Sequence, residues 1–267
     1  VKLALFFALL LVVRVFAEDP RVTRFVIQGD EADRQHHTNE ALANFRKAAA
    51  LEPANAGVLL RVSKQYCDLA GVAKSADTAQ PLAETALDFG RRAVALDEKN
   101  AKAHLNLAVC YAKLTDFVGG KTKLEYSKLI RDEAQQSLAL DGADDYAWHV
   151  MGRWNAGVTN VGMVMKTLAK VVYDGLPAAS NEDAVRCFKK AIELAPQRIL
   201  HHAELAKVYQ AMGKSDLAAQ EWQNVLGLKA DDGTEENYHH EAKLAVEAQR
   251  PSRGFVTKML SAGRGAR

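Results

Sequence analysis

Gly119-Gly120-Lys121-Thr122 has the form of the end of a phosphate-binding loop, in which Gly-rich backbone cradles phosphates while Lys and Thr meet phosphate and magnesium. Such a loop needs Gly at position 115, where Thr115 stands, and no strand-like segment leads into it. No nucleotide is therefore assigned. The eight histidines include three adjacent pairs, His36-His37, His201-His202 and His239-His240, with Glu204 and Glu241 nearby, and these residue types serve zinc. Adjacent residues on a helix point about 100° apart, so an adjacent pair does not chelate. No His-x-x-x-His or Cys-x-x-Cys spacing occurs, and we expect no metal and no cofactor. Cys67, Cys110 and Cys187 lie far apart within helical patterns, where a free thiol packs as a small hydrophobe. No Gly-x-Ser-x-Gly element holds a nucleophile at a sharp turn, and the pairs Asp231-Asp232 and Glu235-Glu236 fall in polar connecting segments as solvated charges. The expectation is a protein that is not an enzyme.

What remains is the scaffold. The chain has 267 residues, 48% of them hydrophobic and 25% charged, enough to bury a sizeable core in a helical composition with only six Pro. Lys2, the apolar run from Leu3 to Val13, and Val15-Phe16-Ala17 fit a signal peptide over residues 1–17, which predicts export to the periplasm or outside the cell. The alternative is an uncleaved N-terminal anchor, with Arg14 between the apolar run and the cleavage site. Eleven apolar residues reach about half of the roughly 20 needed to span a bilayer, so stable membrane insertion after cleavage is not expected. Without residues 1–17 the 33 basic residues equal the 33 acidic ones, and no basic stripe suits nucleic acid. Residues 249–267, with Arg250, Arg253, Lys258, Arg264 and Arg267, read as a basic, disordered tail.

A repeat organises the rest. Ala41, Phe45, Ala48 and Pro53 recur in the same spacing as Ala184, Phe188, Ala191 and Pro196. Small residues let one helix face approach its neighbour, the aromatic fills the gap, and Pro ends the helix. A companion pattern marks a preceding helix: Leu59, Val62, Ser63, Tyr66; His104, Leu107, Ala108, Tyr111; Trp148, Met151, Gly152, Asn155; and His202, Leu205, Ala206, Tyr209. Phe25, Gln28, Gly29 and Ala32 fill the same slots less regularly. Five helical hairpins follow, at about 22–53, 56–97, 101–141, 145–196 and 199–230, with a capping helix at 235–248, within a repeat domain over 18–248. Equivalent positions Leu59, His104, Trp148 and His202 are 45, 44 and 54 residues apart, which places insertions at 71–80, 115–123 and 156–180. The last insertion carries an apolar stripe of Val158, Val161, Val164, Met165, Leu168, Val171 and Val172, a core face or a surface for lipid or a partner.

These patterns resemble the tetratricopeptide repeat (TPR) family, which implies an all-α, right-handed solenoid of helical hairpins with lengthened repeats. Ala147-Trp148-His149-Val150-Met151-Gly152, Leu176-Pro177, the stretch 182–196, Leu205-Ala206-Lys207-Val208-Tyr209 and Tyr238-His239-His240-Glu241-Ala242 resemble the regulator of microtubule dynamics family, most specifically from about residue 146. The resemblance implies a non-enzymatic scaffold that binds protein or peptide. With export expected, only the general role of interaction module carries over. In such solenoids the first helices line a concave groove, which directs Lys64, Val109, Arg153 and Lys207 inward, with His149 one turn before Arg153 and Asn55 and Asn100 at repeat junctions. The partner groove is expected at Asn55, Lys64, Asn100, His149, Arg153 and Lys207, and its basic members suit an acidic segment. The alternative is a carrier or sensor, with the solenoid and the 156–180 insertion enclosing a lipid or small apolar ligand.

Overall fold

The computed structural model describes residues 19–173, 178–230 and 233–248. The expected signal peptide at 1–17 and basic tail at 249–267 lie outside these residues. Among the described residues the chain forms twelve helices and no strand. They are α1 (Pro20–Arg34), α2 (Thr38–Leu51), α3 (Ala56–Val72), α4 (Ala76–Leu96), α5 (Ala101–Leu114), α6 (Gly120–Leu140), α7 (Asp145–Thr159), α8 (Met163–Tyr173), α9 (Asn181–Leu194), α10 (Ile199–Ala211), α11 (Ser215–Gly227) and α12 (Gly233–Ala248). The main pairings are α1 with α2, α3 with α4, α5 with α6, α7 with α9 and α10 with α11, while α12 packs on α10 and α11.

The starts of five helices are set by side chains that accept otherwise unpaired N–H groups. Asp19, Asn55, Asn100, Asp144 and Ser180 cap α1, α3, α5, α7 and α9 in this way. The repeat spacing seen in the sequence is the packing rule of the core. Ala41, Phe45 and Ala48, like Ala184, Phe188 and Ala191, are all buried. Each aromatic seats against a glycine of the first helix of its pair: a Cβ on Gly29 of α1 would lie 2.4 Å from the Phe45 ring, and one on Gly152 of α7 would lie 2.7 Å from the Phe188 ring. Only glycine permits that approach at either site.

The lengthening of the repeats proves to be mostly extra helix. α4 and α6 run for 21 residues against 14 for α2 and α9, and they bury Ala79, Ala83, Leu124 and Ile130 along the added turns. The third insertion forms α8, which packs on α6, with Leu168 and Met165 lying over Gly120. Val158 is buried while Val171 stands exposed, so the apolar stripe is part core and part surface. None of the described helices is long and apolar enough to cross a membrane.

One slot of the repeat carries a hydrogen bond that packing alone did not suggest. The ring N–H groups of His104, Trp148 and His202 reach the carbonyls of Glu98, Gly142 and Pro196, each six residues earlier, at 2.9, 2.9 and 3.0 Å. The other ring nitrogen of His104 meets Glu133 at 2.6 Å, and that of His202 meets Glu221 at 2.7 Å. Histidine and tryptophan share the slot because both carry a ring N–H that ties the preceding turn to the helix.

Candidate interaction face

The first helices form an inner layer. Among the described residues α3, α5, α7, α10 and α12 pack on one another in succession, whereas no comparable packing joins the second helices. The first helices are the more closely packed layer. Its charges pair across adjacent helices. Arg61 of α3 meets Asp30 of α1 at 2.7 Å, and Lys64 meets Asp33 of α1 at 2.8 Å and Asp68 on its own helix at 3.0 Å. Lys102 of α5 meets Asp144 at the start of α7 at 2.6 Å. Farther along, Arg153 of α7 approaches Glu204 of α10 at 3.8 Å, and Lys207 bridges Glu204 at 3.2 Å and Glu241 of α12 at 2.9 Å. Lys207 also sits over the Tyr238 ring, 4.9 Å from its centroid. Burial works against the charge of Lys64 and of Lys207, but their carboxylate partners prevail and the pKa of each is raised.

The expected groove set therefore divides. Lys64, Arg153 and Lys207 lie on this face, with side chains 50%, 62% and 37% exposed. Asn55 and Asn100 instead spend their side-chain oxygens on helix capping, accepting from Val58 and Ala103 at 3.1 Å each. The His149 position also differs from that expectation: it is 3% exposed, too buried to meet a partner.

The His149 ring stacks on Tyr146 and meets Phe188 edge-on. Its Nδ1 lies 3.1 Å from Nδ1 of His201, whose Nε2 is 2.9 Å from the Asp145 carboxylate, itself 3.2 Å from Arg198. Since His201 Nε2–H donates to Asp145, its Nδ1 accepts from His149, and the chain is satisfied with both rings neutral. Burial lowers the pKa of both, that of His149 well below its usual range. In His202 burial also disfavours charge, but Glu221 outweighs it and the pKa is raised. The signs oppose. Stability from the neutral His149–His201 pair is complete above about pH 6.5 and is lost as pH falls toward their folded values. Stability from His202 is complete below about pH 6.5 and is lost as pH rises through its folded value. Urea midpoints measured from about pH 5 to 8 should show both limbs, with His149→Phe flattening the acid one and His202→Gln the alkaline one.

A cavity of about 670 Å³ lies between α6, α7 and α9. Trp148, Met151 and Trp154 supply apolar wall, Arg131, Arg186 and Lys190 supply positive charge, and Asp183, ion-paired with Arg186, supplies one negative charge. Arg131 lies over the Trp154 ring at 5.8 Å. Among the described residues no group of three or more His, Cys, Asp or Glu is placed to hold a metal. Gly119 and Gly120 sit at the start of α6, after helix α5 and not after a strand.

Successive helix pairs with a continuous inner layer define a TPR-like solenoid. The solved structure of a thermophilic TPR protein from Thermus thermophilus shares this fold with a TM-score of 0.62, covering 84% of this chain and 99% of that one at 16% identity. The sequence matches the family Regulator of microtubule dynamics protein 1-3 over residues 26–249, well beyond the C-terminal half, and the chain belongs to that family. It is 26% identical over 192 residues to Regulator of microtubule dynamics protein 1 of Mus musculus, covering 71% of this chain and 63% of that one. It is 25% identical over 199 residues to Regulator of microtubule dynamics protein 3 of Xenopus laevis, covering 73% and 41%. The chain thus matches less than two thirds of the length of either relative. The family match corrects the expected localisation. The relatives are named for microtubules, which are polymers of the cytosol, and an exported, periplasmic or extracellular location is not supported.

Proposed function

We propose that this chain is a non-catalytic scaffold whose inner face receives a segment of a partner protein, with Lys64, Arg153 and Lys207 as the contacting cations. The observation that carries this is the cross-helix arrangement of these three side chains, each partly exposed and paired with a carboxylate of another helix. Cations held in this way are preorganised, so an acidic segment gains charge-assisted bonds without ordering the side chains anew. Arg153 is the most available, since its one ion pair is 3.8 Å long and its side chain is the most exposed of the three. The relatives' names supply the first partner to try, the microtubule.

Co-sedimentation of the chain with polymerised tubulin tests this directly. The matched variant is Lys64→Gln, Arg153→Gln, Lys207→Gln; glutamine is chosen because a new carboxylate would face Asp33, Glu204 and Glu241 and damage the fold itself. The expected result is salt-sensitive binding by the parent and at least a tenfold weaker affinity in a variant with an unchanged helical spectrum, about 1.4 kcal/mol. Equal binding by both removes the inner face from the function.

A second proposal, a carrier of an amphiphilic anion, draws on the cavity between α6, α7 and α9, where two tryptophans and Met151 meet Arg131, Arg186 and Lys190. Ala178, from the 156–180 insertion, is in its wall. Native mass spectrometry of the purified chain checks it. A bound small molecule, lost in Trp154→Ala, supports a carrier; a ligand-free chain that takes up no added amphiphile counts against one.

A further inference from the structure

Two of the three cysteines, remote in the sequence, meet in the core. Cys67 of α3 and Cys110 of α5 are both buried, with their Sγ atoms 3.1 Å apart. Polar groups, not apolar packing alone, surround the sulfurs. Ser63 Oγ lies 3.5 Å from Cys110 Sγ and donates its one hydrogen to the Ala86 carbonyl at 2.7 Å. Asn106 Nδ2 donates to Ser63 Oγ at 2.5 Å and to Cys110 Sγ at 3.6 Å. Cys110 Sγ thus faces two donors, the Asn106 amide and the Cys67 thiol, which is the setting that favours a thiolate. The contact between the two thiols pulls the Cys110 pKa down and pushes that of Cys67 up, which marks Cys110 as the sulfur that ionises more readily. Cys187, on α9, has no such partner, and burial raises its pKa. The pair is also close to the inner face, because Cys67 adjoins Asp68, the partner of Lys64.

We propose that Cys67 and Cys110 are an oxidative modification site, a dithiol that a peroxide converts reversibly to a disulfide joining the first helices of two successive hairpins. The Cys110 thiolate attacks one peroxide oxygen, the O–O bond breaks, and the departing hydroxide takes a proton to leave as water. Cys110 is then a sulfenic acid. The Cys67 sulfur, giving up its proton, attacks the Cys110 sulfur; the S–S bond forms, the S–O bond breaks, and a second water leaves. Two thiols and one hydrogen peroxide become one disulfide and two waters, and a dithiol reductant reverses the change. The sulfurs need approach by only about 1 Å to reach bonding distance. The bond closes a loop of 44 residues across the seam between α3 and α5, fixing the spacing between the helix that carries Lys64 and its neighbour α5.

The test uses the full chain, reduced, desalted and treated with hydrogen peroxide. A mass loss of about 2 Da, a proteolytic fragment linking Cys67 to Cys110, and a melting temperature raised by about 5 °C or more are expected, all reversed by dithiothreitol. Cys187→Ser should leave the crosslink intact, and Cys67→Ser should abolish it. Wild-type chain that gains oxygen without a crosslink, or that crosslinks through Cys187 or between molecules, overturns the proposal, and neither result depends on how well a variant folds.

Discussion

Phe188→Ala should lower the free energy of unfolding by about 3–5 kcal/mol, near the top of the range for a single core truncation. The ring is fully buried, lies over Gly152, and meets the edge of His149 at a centroid distance of 5.4 Å. Removing it opens a void where α7 and α9 meet, and rigid neighbours fill little of it. A melting temperature lower by roughly 10 °C is the expected readout. Gly152→Ala attacks the same contact from the other side and should cost about 1–3 kcal/mol, because the new methyl has no room beside the ring. In the Phe188→Ala background its sign should reverse. There the methyl enters the void, and alanine replaces a glycine within a helix, a gain of about 1 kcal/mol. A double-mutant cycle in urea measures this, and a Gly152→Ala penalty of equal size in both backgrounds would falsify the packing account.

Asp144→Ala should cost about 2 kcal/mol, an unusual loss for a residue outside the apolar core. Its side chain is 1% exposed and has two tasks. One carboxylate oxygen caps α7 by accepting from Tyr146 and Ala147 at 2.9 and 3.1 Å, and the other meets Lys102 of α5 at 2.6 Å. Since the Lys102 side chain is 64% exposed, solvent screens that pair and the cap carries about half of the loss. Asp144→Asn keeps the cap and should cost about half as much as Asp144→Ala. If asparagine is as harmful as alanine in chemical denaturation, the link to Lys102 dominates and the cap is minor.

The fold was legible in the sequence because its determinants are local. Ala41, Phe45, Ala48 and their counterparts Ala184, Phe188, Ala191 lie within two turns of one another, so helical spacing reveals them directly. Longer repeats were equally visible as spacings of 45, 44 and 54, but whether the excess was loop or helix was not. That depended on Ala79, Ala83, Leu124 and Ile130 finding a surface to bury against. The inner face was only partly legible. Asn55 and Asn100 each stand just before an alanine that opens a helix, a capping signal in the sequence that outweighs a role in the groove. The burial of His149 was not legible locally, because its partner His201 is 52 residues away.

A rule for such partners emerges from the contacts. Slots Phe25, Leu59, His104, Trp148 and His202 are separated by 34, 45, 44 and 54 residues. At each seam one cross-helix pair falls two short of the spacing, Asp33 with Gln65 at 32, Cys67 with Cys110 at 43, Lys102 with Asp144 at 42, and His149 with His201 at 52, while Lys64 with Asp33 at 31 and Arg153 with Glu204 fall one residue nearer. The cysteine spacing that looked empty in the sequence is one repeat in this register.

The unequal helix lengths give the solenoid an uneven mechanical profile. At 1.5 Å per residue, α4 and α6 are about 31 Å long and α2 and α9 about 21 Å. Resistance to bending rises steeply with the depth of a beam, so the α3–α6 block is the stout part of a rod whose ends are slender. A load applied at α1 or α12 is taken up at the seams on either side of that block, α2 against α3 and α6 against α7, while the block itself turns as one lever.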